Sequence, residues 1–378
     1  TWLGLQWDAT YRQSERLTHY QQAADHLRTA GRLYPCYETR EELELMRKLA
    51  EQRGAPPIYD RGALKLTRQQ INELEASGRR PHYRFLLEGR DMAWQDGGKG
   101  AVHFAAGIVS DPILIKEDGT PLYTLSSVVD DGLLAISLIL RGDDHLTNSA
   151  AQIQLFQALG YDVPTLVHLP RMVDGAGGKL SKRLGAKSLR DYRAAGMHPR
   201  TLLSYLAHLG LSTAASGKET LTNLIEHVDL TAFGKSESKF FEADLFGLNE
   251  RLLQHLSWHD AQSFYGATAL KDFTAASWEK IGNSITHPDL LPVFAGILNH
   301  GFIARHVFTT AEQTVLSAAH QTMPVDLNPQ DKTNMTAWLD EIKKITSKGG
   351  KELFHPLRLA LTDRLDGPTI PDLITLLG

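Results

Sequence analysis

The sequence predicts an α/β portion followed by an all-α portion, and three stretches carry that reading. The first is ISLILRG, residues 136–142, followed by a helix-spaced segment from Asn148 to Leu159 and a second apolar run at 165–169. Short apolar runs bounded by polar turns suit buried parallel strands. Strand, helix and strand in that order make half of a βαβ nucleotide-binding layer. The second stretch follows Pro81. Here HYRFLLEGR, KGAVHF and DPILIKEDGTPLYTL read as strands, with a turn at Asp118-Gly119. The third begins near residue 187, beyond which short amphipathic helices alternate with Gly, Pro or Asp.

The first hundred residues read as helices broken by loops. A helix starting at Ser14 places Leu17, Tyr20, Ala24 and Leu27 on one face and ends at Gly31. Thr39 with Glu42 three residues later forms a capping box for the next helix. His198 and His355 each precede a proline and read as helix-start or loop residues. None of the 16 histidines clusters in a way that marks catalysis. Asp130, Asp131, Asp143 and Asp144 read as strand-end and helix-cap carboxylates rather than a metal site.

Composition narrows the class. At 378 residues the chain is long enough for two to four domains. No run of eighteen apolar residues is present, so no transmembrane helix is expected. The opening TWLGLQWDAT has neither a charged n-region nor an apolar h-region, and it lacks Met, as a fragment or trimmed chain would. One cysteine, Cys36, excludes an internal disulfide framework and fits a reducing cytoplasm. A net charge of −4 argues against coating nucleic acid with a basic surface, while leaving room for local basic patches.

The most specific chemical signal is GGKLSKRLGA, residues 177–186. Lys179 and Lys182, with Ser181 and Arg183, lie on a Gly-rich loop after the second apolar strand. Two ammonium groups there would neutralise a triphosphate and the charge that develops as pyrophosphate leaves. By itself such a loop is more often a solvated basic surface. Upstream lies GTPLYTLSSVVDDGLLAISLILRGDDHLTNSAAQ, in which Arg141 ends an apolar run. A guanidinium grips a carboxylate with two parallel hydrogen bonds.

Together these segments resemble the bacterial glutamyl-tRNA synthetases, class I aminoacyl-tRNA synthetases, over essentially the whole chain. KLSKR is the form their KMSKS loop takes, and the stretch before it is similar to their PTYxxAxVVDD and RGxDHxxNTxxQ segments. The resemblance implies an incomplete class I Rossmann fold. Residues 1–10 would be the tail of its first half, 11–112 an inserted acceptor-end domain and 113–175 the second half. The signature loop and stem-contact region would occupy 176–245, and helical anticodon-binding domains 246–378. It implies ATP-dependent activation of glutamate and transfer to tRNA(Glu), with tRNA(Gln) a second candidate, by a cytoplasmic monomer.

In this reading Lys179, Ser181, Lys182, Arg183, His145, Arg171 and Met172 border ATP and its Mg²⁺. Arg141, Tyr123 and Ser127 hold glutamate. Lys351, Arg358 and Arg364, with Lys348, are placed for tRNA phosphates. Leu122 and Ser127 depart from the family's usual pocket residues. Some relatives bind zinc through a C-x-C pair, but here Glu38 replaces the second cysteine, so no zinc is expected. The glutamine-charging enzymes end in β-barrels, unlike this helical C-terminus. No HIGH-type motif and no R-I-E-D-T-D stretch occurs in these residues. That leaves two readings open: an enzyme whose N-terminal segment lies outside this sequence, or a truncated tRNA-binding module that does not charge.

Overall fold

The computed structural model describes all residues except 55, 181–186, 301–304, 326, 328–330, 366 and 378. Helix α1 (Leu17–Thr29) leads into β1 (Leu33–Cys36), then α2 (Arg40–Gln52) and α3 (Arg68–Ala76). The expected start at Ser14 moves inward because residues Gln13–Glu15 form a separate 3-10 turn. Thr39 does close a reciprocal capping box with Glu42, satisfying two otherwise orphaned donors at the start of α2.

Strand β2 (His82–Phe85) pairs antiparallel with β1 on one side and with β5 (Ile113–Ile115) on the other. Between them β3 (Met92–Asp96) and β4 (Gly100–Phe104) form a hairpin. The strand expected through PLYTL ends early, because helix α4 (Tyr123–Leu133) begins there and buries Leu125, Val128 and Val129. One core joins these elements: Tyr20, Ala24 and Leu27 of α1 meet Phe85, Leu114, Leu125 and Val128. Leu155 and Phe156 of α5 (Leu146–Ala158) complete it. The division expected at 112/113 therefore falls inside one sheet and one core.

Strand β6 (Leu138–Gly142) pairs in parallel with β7 (Thr165–Leu169), with α5 as the crossover between them. This is the strand–helix–strand unit read from the sequence. One detail differs. Strand β6 is not buried on both faces; Leu138 and Leu140 are 41% and 48% exposed. The reason is that β7 is its sole strand partner among the described residues.

Strand β8 (Met172–Asp174) follows, then helices α6 (Leu189–Ala194), α7 (Pro199–His208) and α8 (Leu221–Glu226). Strand β9 (Ser238–Phe240) returns to pair in parallel with β8. Beyond it lie α9 (Glu242–Leu253), α10 (Trp258–Tyr265), α11 (Ala275–Ile281) and α12 (Leu290–His300). Helices α13 (Thr310–Thr322), α14 (Lys332–Thr346), α15 (Lys351–Thr362) and α16 (Ile370–Leu377) end the chain. Among the described residues a core on Met197, Leu202 and Leu245 joins α6, α7 and α9, and two further cores lie beyond it. One is built on Leu253, Trp278 and Phe294, the other on Val315, Trp338 and Leu353. His355 sits inside α15, where Pro356 is accommodated within the helix, rather than at a helix start. No helix among the described residues is long and apolar enough to cross a membrane.

His198 does cap a helix, accepting from the Arg200 backbone N–H at 3.2 Å, and its ring lies 4.4 Å from that of Phe264. Burial pushes its imidazole down to about 4, with the charge of Arg200 acting in the same direction and Asp260 opposing. The unfolded chain takes up that proton near pH 6.5, whereas the folded protein refuses it until about pH 4. Stability should therefore fall as pH drops through this window, by about 2 kcal/mol at pH 5 from this group. Thermal unfolding at pH 7 and pH 5 should show a smaller loss for His198→Asn, which keeps a capping oxygen. An equal loss in both proteins would remove His198 as the cause.

Candidate active site

The C-terminal ends of β6 and β7 carry a polar cluster that the register itself assembles. Arg141 and His168 are Cα partners on the adjacent parallel strands, so their side chains leave the sheet together. Helix α5 faces them with Ser149 and Gln152, three residues apart on one face. Arg141 Nη1 donates to Gln152 Oε1 at 2.6 Å, Nη2 to Ser149 Oγ at 2.5 Å, and Nε to His168 Nε2 at 3.3 Å. Among the described residues Arg141 forms no salt bridge. Its three hydrogen-bond acceptors are all neutral, and the Asp131 carboxyl feels its charge without bonding to it.

A guanidinium has five N–H donors. Three are used, which leaves one on each terminal nitrogen. Two parallel donors match the two oxygens of a carboxylate.

Two more residues face this group from α4. Ser127 Oγ accepts from Gln152 Nε2 at 2.8 Å, so Ser127, Gln152 and Arg141 form one chain of hydrogen bonds. Tyr123, one turn earlier, is half exposed, and its ring centroid lies 5.7 Å from that of His145. His145 ends the short 3-10 turn Asp143–His145 that joins β6 to α5. The three residues expected to hold glutamate, and one expected beside ATP, thus share one end of this strand pair.

The aspartates have other jobs than the sequence implied. Asp130 lies within α4, not at a cap. It accepts from Arg16 Nε at 2.6 Å and from the Tyr20 hydroxyl, pinning α1 to α4. Asp131 is also inside α4; burial raises its carboxyl, with Asp130 adding to the rise and Arg141 opposing it. Asp143 does open the turn, and it pairs with Lys99 Nζ at 2.9 Å and with Arg171 Nε at 3.6 Å.

On the nucleotide side, Met172 opens β8 and is 43% exposed. Arg171 also reaches Glu237 at 2.5 Å. Asp174 then organises the Gly-rich turn, accepting from the backbone of Ala176 at 2.9 Å and of Gly178 at 2.7 Å. Gly177 takes φ +88°, the left-handed conformation that favours glycine. Lys179 follows, exposed, with its backbone bridged to Val173. Ser181, Lys182 and Arg183 lie outside the described residues.

In the C-terminal helices Lys351 is exposed at the start of α15. Arg358 spends one donor on the Pro368 carbonyl at 2.5 Å, and Arg364 is half-buried. Elsewhere, Cys36, Glu38 and His82 bring a thiol, a carboxylate oxygen and an imidazole nitrogen within 4.8 Å of one another. A closed structural zinc site takes four ligands. This set has three, and Glu38 Oε1 already accepts from the Tyr59 hydroxyl at 2.6 Å. The Arg84 guanidinium lies 4.2 Å over the Tyr59 ring, and its charge already acts on His82. Among the described residues the set is therefore one ligand short of a closed structural zinc site, with Glu38 Oε2 and His82 Nε2 buried and without a hydrogen-bond partner.

The family model for "tRNA synthetases class I (E and Q), catalytic domain" matches residues 1–245. The chain belongs to this family. Over 377 residues it is 39% identical to the glutamate--tRNA ligase 2 of Granulibacter bethesdensis, covering 100% of the chain and 83% of that relative. It is 41% identical to the glutamate--tRNA ligase of Azospirillum brasilense over 379 residues, again covering 100% and 83%. The solved glutamate-tRNA synthetase from Elizabethkingia anophelis shares the fold, with a TM-score of 0.76 at 22% identity over 100% of this chain and 85% of that one.

Within this class I synthetase framework, the sequence reading missed Asp96, Ser149, Gln152, His168 and Asp174. Signals existed for three of them: Ser149 and Gln152 stand at the T and Q of the RGxDHxxNTxxQ segment, and His168 interrupts an apolar run. A histidine inside the apolar run TLVHL must find a polar partner once it is buried. That partner, Asp96, lies 72 residues away in sequence, on the β3–β4 hairpin.

Proposed function

We propose that this chain is a glutamate--tRNA ligase, activating L-glutamate with ATP and transferring it to the 3′ end of tRNA(Glu). The observation that carries the reading is Arg141. It is half-buried, held by three neutral acceptors, and retains a free N–H on each terminal nitrogen. Such a group selects a carboxylate over the amide of glutamine, because an amide NH₂ would face a donor. Tyr123 and Ser127 shape the same pocket.

ATP would lie between His145, Arg171, Met172 and the loop bearing Lys179, Ser181, Lys182 and Arg183. The chemistry needs no covalent enzyme intermediate; positioning and charge stabilisation suffice. Mg²⁺ would enter on the ATP phosphates rather than in a protein cage. Asp143 and Asp130 already serve Lys99, Arg171 and Arg16. Lys351, with Arg358, Arg364 and Lys348, would face tRNA in the helical region. We assign residues 11–112 to acceptor-end binding and 113–175 to the second Rossmann half, two functional portions that share one sheet and one core, with 176–245 the loop and stem contact and 246–378 anticodon binding. The enzyme would act as a cytoplasmic monomer without zinc. Metal analysis of purified protein should find substoichiometric zinc, and a chelator should leave Tm unchanged. One zinc per chain would overturn this.

The functional test is charging by the full-length protein with labelled glutamate, ATP and Mg²⁺, on tRNA(Glu) and tRNA(Gln) separately. Label on tRNA(Glu) supports the ligase. A competing reading is a tRNA-binding module that does not charge. Tight tRNA binding without any charging would select that reading instead.

A further inference from the structure

The β3–β4 hairpin sends its tip into the back of the site. Gly97 N–H donates to the Leu166 carbonyl at 2.9 Å. A Cβ on Gly98 would stand 2.5 Å from the His168 carbonyl oxygen, so this approach requires glycine. The docking delivers Asp96, 1% exposed, to His168, also 1% exposed. Asp96 Oδ1 accepts from the backbone N–H groups of Gly98, Lys99 and His168, each at 3.0 Å. Its other oxygen lies 2.5 Å from His168 Nδ1. The opposite ring nitrogen, Nε2, is 2.7 Å from Ser149 Oγ and 3.3 Å from Arg141 Nε.

The partners fix the proton's place. The ionised Asp96 carboxylate can only accept, which places a ring proton on Nδ1, and Arg141 Nε can only donate, which favours a bare Nε2. A proton on Nε2 would face the Ser149 oxygen at 2.7 Å but oppose Arg141 Nε at 3.3 Å, whereas a bare Nε2 draws the Ser149 hydroxyl proton to itself and away from the His145 carbonyl. We infer that the buried Asp96–His168 pair is a positioning device for amino-acid recognition. Asp96 locks His168 in the Nδ1–H tautomer, and the bare Nε2 then orients Ser149 and Arg141 for the substrate carboxylate. The inference rests on the reading of Arg141 given above. It adds a reason why Arg141 keeps its charge unpaired. A carboxylate placed directly against the guanidinium would compete with glutamate, whereas a carboxylate acting through a neutral imidazole holds the group without occupying it.

Asp96→Asn tests this in the full-length protein. The Asn carbonyl can keep the three backbone hydrogen bonds of Oδ1, while its NH₂ now donates to Nδ1 and drives the ring proton to Nε2. The expected result is a rise of about tenfold in KM for glutamate with KM for ATP unchanged. In combination with Arg141→Ala, Asp96→Asn should add no further loss, because both act through one group. Ser149→Ala gives an independent arm that spares the hairpin, and it should raise KM for glutamate in the same selective way. Unchanged KM for glutamate in both Asp96→Asn and Ser149→Ala, or losses that multiply with Arg141→Ala, would overturn the inference while leaving the pocket reading intact. If Arg141→Ala itself leaves KM for glutamate unchanged, the pocket reading fails, and this inference with it.

Discussion

Arg141→Ala should lower kcat/KM for glutamate by about 10²- to 10³-fold, since two charge-assisted hydrogen bonds to the substrate carboxylate vanish together. The loss should not come from unfolding. Arg141 touches Gln152, Ser149 and His168, and each keeps another partner after truncation: Ser127 for Gln152, His168 for Ser149 and Asp96 for His168. Arg141→Lys keeps the charge but not the planar fork, and should recover only part of the activity. Steady-state kinetics with glutamate varied at saturating ATP and tRNA(Glu) measure this. A kcat/KM for glutamate that survives Arg141→Ala unchanged would mean that the carboxylate is recognised elsewhere.

Asp96→Ala should destabilise the protein by roughly 4 kcal/mol, an effect of the kind seen when a buried charged acceptor leaves its donors unpaired. Three backbone N–H groups, the His168 ring N–H and the Trp94 indole N–H all converge on this one carboxylate. Burial alone would push Asp96 up, but these hydrogen bonds outweigh it and hold the carboxyl at about 2. Because its folded value lies below the ordinary one of 3.8, its contribution is complete above about pH 4 and fades as pH falls toward 2. Urea unfolding at pH 7 reads the loss directly. A midpoint matching the parent protein would show that the hairpin turn needs no carboxylate.

How much of this was legible in the sequence depended on range. Thr39 with Glu42 announced a cap because both partners lie within one turn. The strand–helix–strand unit around ISLILRG was legible because apolar runs and helical spacing are local patterns. The extent of its burial was not, since the exposure of Leu138 and Leu140 depends on which strands lie beside β6. Asp130 looked like an end residue beside Asp131, and only the fold sets it opposite Arg16 and Tyr20, more than a hundred residues earlier. The site divided along the same line. Arg141, Tyr123 and Ser127 were found through motifs within one stretch. Asp96 and His168 escaped because their partnership exists only once a hairpin and a parallel strand meet.

The measurement that bears most directly on the central claim is the ratio of kcat/KM for glutamate to that for glutamine, taken in the parent protein and in Arg141→Ala. The account predicts a strong preference for glutamate in the parent, with most of that preference lost in the variant while the residual activity on glutamine changes little. A ratio that stays the same after Arg141 is removed would contradict it.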